Sequence, residues 1–110
     1  MIIGGTGFIG FHLAKKCLKK NLQVFSISSN KPKKKRLLKN VKYLHCDISN
    51  KRALNKKINS EFDYVVNLGG YVNHNEKKKT FQSHYIGCKN LVDIFKKKKN
   101  YFIYTNRKLC

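Results

Sequence analysis

Apolar residues in this chain fall into short runs separated by longer stretches with helical spacing, and the alternation predicts strands and helices in turn. Residues 1–3 form an apolar strand, shorter than the usual five or six residues. An amphipathic helix follows from near Phe11, with Leu13, Ala14, Cys17 and Leu18 set among lysines. Residues 23–28, β-branched and aromatic, predict a second strand. Residues 31–40 are a basic connection, in which Pro32 breaks any helix at its start.

A third strand is expected over residues 41–48, then a helix over 51–58 that is capped by Ser49 and turns Ala53, Leu54 and Ile58 inward. Residues 62–68 carry an unbroken apolar centre, which suits a strand buried on both faces of a parallel sheet, and Gly69 and Gly70 close it. A long helix over 80–97 repeats Phe81, Tyr85, Cys88, Leu91, Val92 and Phe95 at helical spacing, and residues 101–105 predict a fifth strand. Strands alternating with helices imply βαβ units with right-handed crossovers. The expected architecture is a doubly wound parallel α/β sheet in the order 3-2-1-4-5, with the topological switch between strands 1 and 4.

At that switch lies Gly4-Gly5-Thr6-Gly7-Phe8-Ile9-Gly10. A strand turning sharply into a helix beside a pyrophosphate leaves no room for a Cβ, and glycine also permits positive φ. The helix start then presents unpaired amides and the positive end of its dipole to the anion. Gly10 lets helix and strand pack closely. The spacing is GxxGxxG, a departure from the general GxGxxG fingerprint.

The string GGTGFIG and the helix after it resemble the cofactor turn of the extended short-chain dehydrogenase/reductases, the NAD-dependent epimerase/dehydratase group, and the resemblance runs over essentially the whole chain. It implies a Rossmann-like cofactor domain over residues 1–110, with the strand set clipped at both ends and no substrate domain. Gly4, Gly7, Phe8, Ile9 and Gly10 would then form the turn, Asp47 and Ile48 the adenine side, and Leu68, Gly69 and Gly70 the nicotinamide side. The family's catalysis uses a Ser or Thr past the fifth strand and a later YxxxK pair. Thr105-Asn106-Arg107 stands in place of the first, and no YxxxK follows it. Tyr85 and Lys89 do read YxxxK, but the tyrosine is periodic with the core and lies before strand five. His84 occupies a position where relatives carry asparagine, three residues before Gly87. No catalytic residue is therefore assigned, and the chain alone is expected to be inactive.

Cofactor choice turns on the end of the second strand, where an acidic residue would bind the adenosine ribose of NAD. This chain has Ser28-Ser29-Asn30-Lys31 instead. Hydroxyls followed by Lys31, Lys33 or Arg36 suit a 2′-phosphate, so the reading is NAD or NADP with a lean to NADP. Asp47 has a second reading as a turn or N-cap aspartate.

Composition adds limits. With 41% hydrophobic residues the chain is too apolar to be disordered, and no apolar run reaches the ~20 residues of a membrane span. Four scattered cysteines without a CxxC pair indicate neither a zinc site nor a disulfide framework; reduced thiols in a cytoplasm fit, and no metal is expected. The net charge of +20 comes almost wholly from lysine, spread over helix surfaces and loops without interleaved aromatics. A solvated surface, adhering to polyanions only at low salt, is expected in place of a specific nucleic-acid partner.

The chain thus reads as the amino-terminal NAD(P)-binding part of a nucleotide-sugar epimerase, dehydratase or reductase; the resemblance implies a homodimer formed through helices flanking the sheet, one being the long helix near Lys89. The alternatives are a non-catalytic nucleotide-binding or interaction module and, behind it, a basic nucleic-acid binder.

Overall fold

The computed structural model describes residues 1–69, 75–96 and 98–104. Five parallel strands, β1 (Ile2–Ile3), β2 (Val24–Ser28), β3 (Val41–His45), β4 (Tyr64–Asn67) and β5 (Tyr101–Tyr104), lie in the order β3-β2-β1-β4-β5, as expected. Ile2 stands between Ser26 and Val66 and Ile3 between Ile27 and Asn67, so the two-residue strand is the centre of the sheet.

Helices cover both faces. On one, Ala14 of α1 (Phe8–Lys19) packs with Ile2, Val24 and Val41. On the other, Met1, Ile3, Ile27, Val65, Leu54, Ile58, Leu91 and Phe95 form the larger core under α2 (Lys51–Lys57) and the carboxy-terminal helix. That helix comprises α3 (Lys77–Phe81), a π-helical segment (Gln82–Ile86) and α4 (Gly87–Phe95), with right-handed helical backbone at both junctions. A salt bridge from Lys51 to Asp93 (3.3 Å) ties α2 to α4. Among the described residues no helix is long and apolar enough to cross a membrane.

Several expectations need correction. The first helix begins at Phe8, three residues before the position read from its apolar pattern, because Phe8 and Ile9 face solvent (65% and 67% exposed) and leave no core-facing signal. The α2 cap is Asn50, whose side chain accepts from Ala53 N at 3.1 Å; Ser49 instead bonds back to Asp47. Phe81 and Tyr85 do not join the core but stack on each other at the surface, ring centroids 5.1 Å apart. The π-helical segment is the reason, because its wider turn breaks the 3.6-residue phase between Phe81 and the buried Cys88, Leu91 and Phe95. The burial that set Tyr85 aside as a catalytic tyrosine is thus not observed. Cys17 and Cys46 carry free thiols, whereas Cys88 is disulfide-bonded, so the expectation of reduced thiols holds for the first two.

Candidate functional site

The turn after β1 is set by backbone sterics. Gly4 has φ +81°, and a Cβ there would lie 2.9 Å from Gly69 N and 3.0 Å from its Cα, so both conformation and space require glycine. Gly4 N donates to Ile27 O at 2.8 Å, which anchors the turn to β2. Gly10 sits in the first turn of α1, where a Cβ would collide with Gly4 O and stand 2.6 Å from Gly5 Cα. The helix thus packs directly on the turn, as its spacing predicted.

Gly7 differs. Its φ is −77°, and a Cβ there would meet only Gly4 O, at an ordinary 3.5 Å. The fold does not need glycine at Gly7, yet the residue is exposed and borders a cleft. No side chain caps α1, so its first amides, from Phe8 onward, have no side-chain acceptor.

The cleft, about 240 Å³, opens at the carboxyl ends of the strands. Gly4, Thr6 and Gly7 form its floor, Ser28, Ser29 and Asn30 one wall, Asp47 and Ile48 another, and Leu68 and Gly69 the side towards β4. The structure therefore brings together nine of the residues expected from sequence. Phe8 and Ile9 do not line it with their side chains, and Gly10 is buried beneath the turn. Gly70, like the Thr105-Asn106-Arg107 segment, lies outside the described residues.

Each wall is held locally. Ser28 O accepts from Cys46 N at 3.0 Å, and Ser29 O receives His45 Nε2 at 2.7 Å, which pins the Ser28–Asn30 edge to β3. The Ser28 hydroxyl is buried with no hydrogen-bond partner among the described residues, an orphaned polar atom on the cleft wall. Asp47 Oδ1 accepts from Ser49 N (2.9 Å) and Ser49 Oγ (2.8 Å). The turn reading of Asp47 is thus correct for one oxygen, while the residue still faces the cleft. Gly69 N donates to Asn67 Oδ1 at 3.1 Å and Leu68 N to Ile3 O at 2.9 Å, fixing the β4 side.

Sequence reasoning missed Thr6, Ile3, Ile27 and Cys46 as lining residues. Thr6 sits between the glycines and Cys46 directly before Asp47, so adjacency was the available signal. Burial, then the Asp47 carboxylate, pushes the Cys46 thiol up, and it lines the cleft as a neutral group. Arg36, one of the cations considered for a 2′-phosphate, places its guanidinium over the Phe8 ring at 5.8 Å, beside the turn. A larger cleft, about 340 Å³, opens at the opposite end of the strands among Met1, Val24 and Tyr64. It contains no part of the glycine turn, and ligands of open α/β sheets bind at the carboxyl ends. Among the described residues no group of three or more His, Cys, Asp or Glu could hold a metal ion.

Known proteins share this fold. The sequence model of the NAD dependent epimerase/dehydratase family matches residues 1–106. The chain belongs to that family. Its fold is that of solved epimerases. The UDP-glucose 4-epimerase of Thermus thermophilus, in complex with NAD, is 22% identical, with a TM-score of 0.70 over 84% of this chain and 32% of that one. An enzyme of Bordetella bronchiseptica in complex with NAD+ is 23% identical, with a TM-score of 0.77 over 87% of this chain and 34% of that one. An epimerase of Methanothermobacter thermautotrophicus is 18% identical, with a TM-score of 0.85 over 97% and 34%. The chain thus spans about a third of the length of these family-fold proteins. No curated protein sequence matches it.

Proposed function

We propose that the cleft binds a nicotinamide dinucleotide, as the cofactor part of a protein that acts on nucleotide sugars by transient oxidation and reduction. The observation that carries this reading is Gly7, a glycine the fold does not require, bordering the cleft beside the uncapped start of α1. The missing Cβ leaves room for a pyrophosphate against the first amides of the helix, to which Phe8 and Ile9 contribute main chain only. Ser28, with its unpaired hydroxyl, Ser29 and Asn30 would take the adenosine ribose; Asp47 and Ile48 the adenine; Leu68, Gly69 and Gly70 the nicotinamide side. The cofactor, when bound, supplies the hydride acceptor and donor. These residues bind and orient it, and no catalytic residue is assigned among them.

The lean towards NADP gives way to NAD. The Thermus thermophilus and Bordetella bronchiseptica structures are complexes with NAD and NAD+, and the family is the NAD dependent one, which supports NAD here as well. Ser28 and Asn30 can bond a free ribose hydroxyl as readily as they can flank a phosphate. The exposed Phe81–Tyr85 stack, with Val92 also exposed further along, supports a homodimer, and the same reading includes a cytoplasmic location and no specific nucleic-acid partner.

A fluorescence titration with NADH and NADPH at low and moderate salt tests the proposal. Saturable NADH binding that persists at moderate salt, with NADPH no tighter, is the expected result. Binding that vanishes with salt would reduce the interaction to the chain's positive charge, and tighter NADPH would restore the other assignment of Ser28–Asn30.

A further inference from the structure

The cleft wall made by Asp47 and Ile48 belongs to the connection between β3 and α2, which has no regular structure of its own. Cys46 N ties its start to Ser28 O, but the bonds of Asp47 are local. Asp47 Oδ1 accepts from Ser49, and Asp47 O accepts from Asn50 N at 3.0 Å. These shape the turn but leave its placement against the rest of the domain to other contacts.

One such contact comes from α4. Asn90 is 7% exposed, and its Nδ2 donates to Ile48 O at 2.9 Å across 42 residues of chain. An asparagine on the core side of a helix costs free energy unless its amide is bonded, and the Ile48 carbonyl supplies that bond here. Three residues earlier stands Gly87. A Cβ on Gly87 would lie 2.6 Å from Ile48 Cγ1 and 2.7 Å from Cδ1. The helix therefore meets a single residue of the loop twice, bare backbone against its side chain and an amide against its carbonyl. Both meeting points follow the π-helical segment, after which Gly87, Cys88, Asn90 and Leu91 all turn inward.

We propose that Asn90, seated by Gly87, is a positioning residue for the dinucleotide cleft, fixing the Asp47–Ile48 wall from α4. The proposal rests on the dinucleotide reading above and deepens it, because it makes affinity depend on a residue that touches no ligand.

The test uses Asn90→Asp in the full chain, which keeps the shape, removes the donor and sets a carboxylate against the Ile48 carbonyl. NADH affinity should fall about tenfold, the scale of an unmade buried hydrogen bond. Asp47→Ala should also weaken binding, and the double variant should be little weaker than the poorer single one, because both act through one wall. Combined with Gly7→Ala in the glycine turn, which shares no hydrogen bond with the Asp47–Ile48 wall, Asn90→Asp should instead multiply. A fold defect spread through the domain would not give this pattern.

Wild-type affinity in Asn90→Asp, or full multiplication with Asp47→Ala, would overturn the proposal. Amide hydrogen exchange separates its failure from failure of the dinucleotide reading. Without ligand, Ser49 and Asn50 amides should exchange about tenfold faster in Asn90→Asp while β2 and β3 amides keep their protection. Unchanged exchange would show that Asn90 does not hold the loop, whatever NADH does. Should Asn90→Asp fail to fold, Asn90→Ala removes the donor without adding charge and takes its place in the same measurements.

Discussion

Replacing Gly10 by alanine is expected to abolish NADH binding and to lower the melting temperature by roughly 10 °C, the scale of overpacking in a domain of this size. The added methyl would collide with Gly4 O and crowd Gly5 Cα, both backbone, so no side chain can rotate away to admit it. Relief requires α1 to move off the turn. That movement displaces Gly7 and the first helical amides, so stability and affinity fall together. Gly7→Ala separates the two effects, because its Cβ meets only Gly4 O at 3.5 Å and should leave the melting temperature near that of the wild type. Thermal unfolding followed by circular dichroism, with an NADH titration well below the transition, reads both quantities.

Phe95→Ala is the second large effect and has the opposite signature. Phe95 is 2% exposed at the end of α4 and meets Phe62 edge to face, with centroids 6.4 Å apart; Phe62 in turn meets Phe25 at 5.1 Å. Removing the ring deletes the aromatic chain that joins α4 to the sheet and leaves a cavity. The cost is about 3–5 kcal/mol, against a total stability of about 5–15 kcal/mol for an ordinary domain. Urea unfolding should show the midpoint falling by a large fraction. The ring lies at the amino-terminal end of the strands, near Phe25 and Phe62, away from the glycine turn. The fraction still folded at low temperature should therefore bind NADH as the wild type does.

Much of the architecture was legible because a parallel sheet writes itself in short apolar runs. All five strands were found, and their order followed from the alternation with helices and from the glycine turn at the switch point. Boundaries were less legible where the deciding interaction is not apolar. The start of α1 is set by close packing of Gly10 on the Gly4–Gly5 backbone, while Phe8 and Ile9 are exposed and carry no periodic signal. Ser49 and Asn50 are both good caps by type. Asp47 decided between them by engaging the serine. Phe81 and Tyr85 read as core because a 3.6-residue period was carried through a segment that is π-helical.

The site was legible to a similar degree. Gly4, Gly7, Ser28, Ser29, Asn30, Asp47, Ile48, Leu68 and Gly69 were named from strand ends and share one cleft, since every strand of a parallel sheet delivers its carboxyl end to the same edge. What the sequence hid was support from a distance. Asn90 and Gly87 lie on a helix that reads as core packing, and their link to Ile48 spans some 40 residues of chain, beyond any local pattern.

The central claim is that the glycine turn and the three strand ends beside it form one dinucleotide site. Amide chemical-shift mapping of the isotopically labelled chain with NAD+ at moderate salt tests it most directly. Saturable shifts at Gly4 to Gly10, Ser28 to Asn30, Asp47, Ile48, Leu68 and Gly69, with Leu22 and the basic face of α2 at Lys51, Arg52 and Lys56 unmoved, are the predicted result. Shifts spread over the lysine-rich surface, or centred on the cleft of Met1, Val24 and Tyr64, would contradict it.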